Sequence, residues 1–300
     1  INIAYNMSHG WSNIMFNVYN RNEDAAFEWR KPLMYVGMMG YLITPVTLWL
    51  AVKHRQALRA SARSHRLLAC LVVVPLLFFM LLSTKKVIGL HWVLSFYPFG
   101  FAWLAFALPA DRLKTCAKGL ALFAGLHVVV VAGLYLTTLD TWRSAKIYPQ
   151  IVRSVKTAEI LQQADRPGAV LMADSYTAAS IYGFERRQYM PVFGVGRFHA
   201  RQDDVLVDFS LYQGNKVRII TPDKPDLQAF KPYFDSVAVQ SFIQDGVPFY
   251  VVEGSGFNYP AYRQGVLGEA FKQFYNIPAW LPMTGCPFCE RYCGQVRCPR

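Results

Sequence analysis

The chain is 300 residues long, 53% hydrophobic and 15% aromatic, with 31 Lys/Arg against 19 Asp/Glu and a formal charge of +12. Residues 1–150 hold 15 Lys/Arg against 5 Asp/Glu, whereas residues 151–300 hold 16 against 14, and no acidic residue stands between Glu28 and Asp111. The basic excess therefore lies between apolar runs and not on a soluble basic face, which makes nucleic-acid binding a poor reading and an integral membrane protein the better one.

Residues 1–32 alternate aromatic and polar side chains. At helical spacing Trp11, Ile14, Met15, Val18 and Tyr19 share a face, which predicts an interfacial juxtamembrane helix. A membrane domain over 33–140 follows, with four apolar segments at 33–52, 67–83, 87–108 and 117–139, each near the ~20 residues that a bilayer-crossing helix needs. Pro45, Pro75, Pro98 and Gly100 fall inside the first three, as membrane helices tolerate when neighbours satisfy the freed carbonyls. The connection after the first segment carries Lys53, Arg55, Arg59, Arg63 and Arg66, and that after the third Arg112, Lys114 and Lys118. The connection after the second has only Lys85 and Lys86. The bias of basic residues toward the cytoplasm puts the two richer loops inside, and residues 1–32 and the C-terminal half outside. His127, in the fourth segment, reads as an interhelical bonding residue.

From about Ser144 the pattern becomes that of a small extracytoplasmic α/β domain, spanning 144–276. Helices are predicted over 148–163, 176–184 and 226–233, and strands at Ala169–Ala173, 188–192, 217–221, 236–242 and 249–252, with Asp174-Ser175 capping the second helix. Asp174, Glu185, Arg186, Arg187, Arg197, Asp203, Asp204 and Asp208 show no metal or nucleophile spacing and read as a solvated surface. The tail, 277–300, is rich in Pro and Cys, with little regular structure expected. Its Cys286, Cys289, Cys293 and Cys298 are spaced closely enough to hold a metal tetrahedrally, or to oxidise into one of three pairings, and disulfides are favoured. Cys70 and Cys116 read as inert.

The segment Asn6-Met7-Ser8-His9-Gly10-Trp11, with Phe16-Asn17 after it, resembles a motif of bacterial membrane glycosyltransferases: asparagine-x-x-histidine-x-tryptophan, ending in a phenylalanine-glutamine pair. These are relatives of the dolichyl-phosphate-mannose protein mannosyltransferases, with the GT-C fold. Asn17 stands in place of the glutamine, and Ile14 in place of a phenylalanine. Lys85-Lys86, His91-Trp92 and Tyr97-Pro98 look like that family's outer loop and following span, and the likeness covers most of residues 1–255.

The resemblance implies transfer of a sugar from a polyprenyl-phosphate-linked lipid donor to an acceptor lipid, glycan or protein, at the periplasmic face of a bacterial inner membrane. Membrane lipids are further partners, and a divalent metal ion stays open as a cofactor. Negative charge develops on the departing lipid phosphate, where fixed cations stabilise it. Lys85, Lys86, His91 and Arg21 are the candidates to bind that phosphate, and Asn6, His9, Trp11, Phe16 and Asn17 form the interfacial motif. In the family the acidic catalytic residue lies in the first outer loop, expected here upstream of Ile1. The chain thus reads as the C-terminal part of a longer enzyme, inactive alone, and no base is assigned within it. The rival readings are a non-catalytic membrane-anchored protein whose outer domain binds a ligand or partner, and a metal or redox module in the cysteine tail.

Overall fold

The computed structural model describes residues 1–19, 27–195 and 202–294. Arg21, Arg197 and Cys298 lie outside the described residues. The chain divides into two compact units, one formed by Ile1–Glu23 with Thr138–Arg300 and the other by Asp24–Thr137.

The chain opens on α1 (Asn2–Ser8), part of the first unit, and the second unit then contributes α2 (Arg30–Ile43), α3 (Pro45–Lys53), α4 (Arg55–Ser64), α5 (Arg66–Ser83), α6 (Leu90–Ala107) and α7 (Ala110–Tyr135). Among the described residues, α5, α6 and α7 are each long and apolar enough to cross a membrane, at 18, 18 and 26 residues. Leu122, Leu126 and the run from Val128 to Val131 on α7 are exposed, as suits a surface whose solvent is lipid.

The first apolar segment differs from a single straight span, because α2 and α3 meet at 93°. Pro45 disfavours helical geometry in the residue before it, and Thr44 sits at φ 72°, with its hydroxyl 3.1 Å from that of Thr47. The last helix starts at Ala110, so Arg112, Lys114 and Lys118 lie in its first turns and not in a connection. Small and polar side chains mediate packing between these helices. A Cβ on Gly119 would come within 2.8 Å of Val46, the Thr47 hydroxyl lies 3.2 Å from the Cys116 thiol, and Tyr41 shares a hydrogen bond with His127.

In the other unit, α8 (Tyr148–Val155) and α9 (Thr157–Ala164) replace the single helix expected over 148–163. The Thr157 hydroxyl donates to the Arg153 carbonyl at 2.7 Å, and the helix is interrupted at Lys156. Then come β1 (Ala169–Ala173), α10 (Tyr176–Arg186), β2 (Lys216–Thr221), β3 (Phe234–Gln244) and β4 (Val247–Phe257), in one sheet of order β1-β2-β4-β3. The β1 and β2 strands are parallel, and the other pairings are antiparallel. The strand expected at 188–192 is reduced to a bridge from Val192 to Ala173, since Pro191 has no N–H to give a ladder. The helix expected at 226–233 is two 3₁₀ turns, Leu227–Ala229 and Lys231–Tyr233, with Pro232 interrupting it.

Side chains alternate across the sheet. Leu171, Ala173, Ile220, Phe249 and Val251 pack on α8, α9 and α10. Met172, Val217, Ile219 and Val252 face the opposite way, into a core closed by the helical stretch 259–275, by the tail, and by Phe16 from the N-terminal segment. Residues 1–19 thus contribute to the compact unit that holds the sheet. The tail also holds more order than expected, in α11 (Pro287–Cys293).

Candidate functional site

The connection from α5 to α6 is built by side chains that finish a helix. Ser83 and Thr84 donate their hydroxyls to the carbonyls of Met80 and Leu81 at 2.6 and 2.7 Å. Meanwhile the N–H groups of Lys85 and Lys86 both reach Leu82 O. Beneath the loop Tyr35, Ile88 and Val93 are buried together, which fixes the backbone and leaves the lysine side chains outward. Lys85 and His91 are exposed and Lys86 is half-buried. Lys86 Nζ lies 5.0 Å over the Trp92 ring, and the His91 ring meets Trp92 edge-on at 6.0 Å.

A third cation joins them from α2. Lys31 Nζ donates to Lys85 O at 3.1 Å, and Glu28 N donates to Thr84 O at 3.3 Å. The carboxylate of Glu28 is 3.6 Å from Lys31. Three lysines and an imidazole thus gather at one end of the apolar helices, with Glu28 the carboxylate among the described residues there, a donor-rich surface suited to a phosphate. Lys31 is visible in the sequence only as a flanking charge, and its contact spans 54 positions.

The other motif serves packing in the sheet unit. Asn6 is buried, its amide donating to Asn2 O at 2.9 Å, and its own carbonyl accepting from Trp11 N at 2.9 Å. His9 stacks on Tyr5 at 3.9 Å. Trp11, at φ 58°, buries its ring and donates Nε1–H to Pro282 O at 2.7 Å. Phe16 packs near Phe274, and Asn17 bonds back to Asn13. The backbone interlocks with the tail: Met7 O accepts from Thr284 N and Gly285 N, and Gly10 N donates to Gly285 O. Tyr5, His9, Ser12 and Asn13 line one side of a cleft of about 220 Å³ whose other side is Gln202, Val205, Tyr275 and Pro287. The two motifs that carry the resemblance thus fall in different units, Asn6 to Asn17 in one and Lys85 to His91 in the other.

The cysteine tail is oxidised at Cys286–Cys289, and Cys293 is also disulfide-bonded. Among the described residues no His, Cys, Asp or Glu group is arranged to hold a metal ion. Asp203 and Asp204 depart from the solvated-surface reading, since both are fully buried. Asp203 accepts from Val192 N at 3.0 Å and from the Tyr189 hydroxyl, and Asp204 accepts from the Tyr275 hydroxyl at 2.6 Å. Those partners lie up to 71 positions away, beyond any local pattern.

Asp174 stands at the carboxyl end of β1, accepting from the Ser175 hydroxyl at 3.1 Å, while Ser175 caps α10. Burial pushes the Asp174 carboxyl above its usual range, against the lowering effects of Ser175 and Thr221. A carboxyl raised in the folded state makes the fold bind protons more tightly than the unfolded chain does. Stability therefore falls as the pH rises from the unfolded pKa through the folded one. Asp174→Asn is expected to stabilise the sheet unit at neutral pH and to match the parent below the unfolded pKa of about 3.9, as read by thermal denaturation across pH. A variant less stable than the parent at pH 7 overturns this.

No family model, curated protein or solved structure matches the chain.

Proposed function

We propose that the chain is part of an integral membrane glycosyltransferase that moves a sugar from a polyprenyl-phosphate-linked donor to an acceptor at the extracytoplasmic face. The observation that carries the reading is the gathering of Lys31, Lys85, Lys86 and His91 beside exposed apolar helices. The apolar surface suits a polyprenyl tail, and the cations suit its phosphate. The motif likeness adds the sugar chemistry.

In such a transfer the bond from the anomeric carbon to the phosphate oxygen breaks, and the electron pair stays on the departing phosphate. The acceptor oxygen bonds to the carbon from the opposite face, inverting it, and loses its proton to a base. Lysines held by a finished helix end stabilise that phosphate without reorganising. Lys85 and Lys86 act on its oxygens, and His91 donates a hydrogen bond. Lys31 holds the loop through Lys85 O. Glu28 is paired with Lys31, and no base is assigned within the chain.

The test is donor binding by the full chain in lipid nanodiscs, with polyprenyl phosphate as the probe. A charge-assisted hydrogen bond contributes about 1.5–3 kcal/mol, so Lys85→Ala with Lys86→Ala is expected to weaken binding at least about tenfold, with helix content unchanged. Unaltered affinity removes these lysines from the site. Donor binding without sugar transfer in native membranes that carry the whole protein, and not this chain alone, favours the non-catalytic ligand-binding reading.

A further inference from the structure

The opposite connection of the helical unit carries a different surface. Helix α4 sits between α3 and α5, and its sequence places Arg55, Arg59 and Arg63 four residues apart, on one edge of the helix. All three are exposed, as are Lys53 before the helix and Arg66 after it. None of the three arginines makes a side-chain hydrogen bond or ion pair with a described residue. The sequence offers them no acidic neighbour either, since Asp and Glu are absent from 29–110.

The other edge of α4 is anchored. Leu58 packs against the buried cluster of Leu50, Leu104, Leu108 and Cys116, and the His65 ring just beyond the helix stacks on Phe106 at 4.3 Å. Exposed apolar side chains flank the arginines in sequence, with Trp49 and Val52 on α3 and Leu67 on α5. Lys53 Nζ lies 4.8 Å over Trp49. A stripe of cations between two exposed apolar helix ends is the pattern of a helix lying at the boundary of acyl chains and headgroups.

We propose that α4 is a docking platform for anionic phospholipid headgroups, with Arg55, Arg59 and Arg63 binding lipid phosphates along the membrane surface. Charge complementarity selects this occupant: the stripe is all positive, without an ion pair among the described residues and bordered by lipid-compatible side chains, whereas a protein partner would have to cover those apolar side chains as well. The guanidinium fork suits phosphate oxygens. The proposal is independent of sugar transfer and needs only that the apolar helices span a bilayer.

The experiment uses the full chain in nanodiscs of equal phosphatidylglycerol and phosphatidylcholine, with the retained lipids counted by native mass spectrometry. Each basic side chain at an anionic surface adds about fivefold preference, equivalent to roughly 1 kcal/mol. The parent is expected to enrich phosphatidylglycerol, and Arg55→Gln, Arg59→Gln and Arg63→Gln together are expected to lower that enrichment by up to about a hundredfold. The three matching lysine substitutions keep the charge and are expected to keep most of it. On the unaltered chain, about 1 M salt shortens the screening length to about 3 Å and is expected to abolish the enrichment, while inorganic phosphate at millimolar concentration leaves it in place. No enrichment by the parent, enrichment that survives the glutamine substitutions, or enrichment that survives high salt overturns the proposal. Displacement by inorganic phosphate also overturns it, in favour of a soluble anion site.

Discussion

Alanine at Gly10 is expected to destabilise the sheet unit by about 2–5 kcal/mol, through two costs that fall on the same atom. Gly10 sits at φ +64°, a left-handed conformation that costs a residue with a Cβ about 1–2 kcal/mol. The added carbon would also stand 2.8 Å from Cys286 Sγ and 3.1 Å from Tyr275 Cδ1. Cys286 is fully buried and tied to Cys289, so it cannot swing aside, and such overpacking costs typically about 1–3 kcal/mol. Gly168 supplies the control, with φ +79° and nothing within 4 Å of its missing Cβ. Gly168→Ala is expected to lose only the conformational part. Chemical denaturation of the full chain in detergent, followed by near-ultraviolet circular dichroism, reads both. Equal losses at the two positions would mean that the contact between the N-terminal segment and the tail yields easily.

That contact also marks the limit of what the sequence makes legible. The periodic spacing of Trp11, Ile14 and Met15 is real, but left-handed geometry at Gly10 and Trp11 ends α1 at once. The ring of Trp11 then turns to a partner 271 positions away. The only local signal is the glycine between His9 and Trp11. By contrast, Ala169–Ala173 is legible as a strand, because a short apolar run between turn residues has few other solutions. So is Lys216–Thr221, seen as 217–221. Lys85 and Lys86 stand out because they are the charges between two long apolar runs. Lys31, Asp203 and Asp204 do not, because their surroundings are made by residues distant in the chain. Pro45 announces a disturbance in the first apolar segment, but not the 93° between α2 and α3, at whose break Thr44 bonds to the buried Thr47.

Glu253→Ala is expected to cost about 3–5 kcal/mol, more than removing the charge it accompanies. Arg218 on β2 faces Glu253 on β4 in register and pairs with it across the sheet. Arg218 is 5% exposed and Glu253 31%, so the two partners are not equivalent. The Arg218 Nε also donates to Ala164 O at 2.6 Å, joining the end of α9 to the sheet, and its Nη2 donates to Gln240, which in turn donates to Glu253. Without Glu253 the guanidinium stays fixed by these bonds inside the fold, without the carboxylate it pairs with. Without Arg218 the carboxylate can reach water, and Arg218→Met keeps much of the volume, so the loss should reduce to about 1–3 kcal/mol for the orphaned Ala164 carbonyl. Replacing both, with Met and Leu, removes both charge-desolvation penalties but leaves the Ala164 carbonyl orphaned, and is expected to fall near Arg218→Met. Hydrogen exchange at the amides of Ile219 and Val252, next to the pair on β2 and β4, reads each variant within the sheet itself. The decisive comparison is the order of the two single variants: if Arg218→Met opens these strands more than Glu253→Ala does, the anchoring of α9 through Ala164 outweighs charge burial as the cation's contribution to the fold.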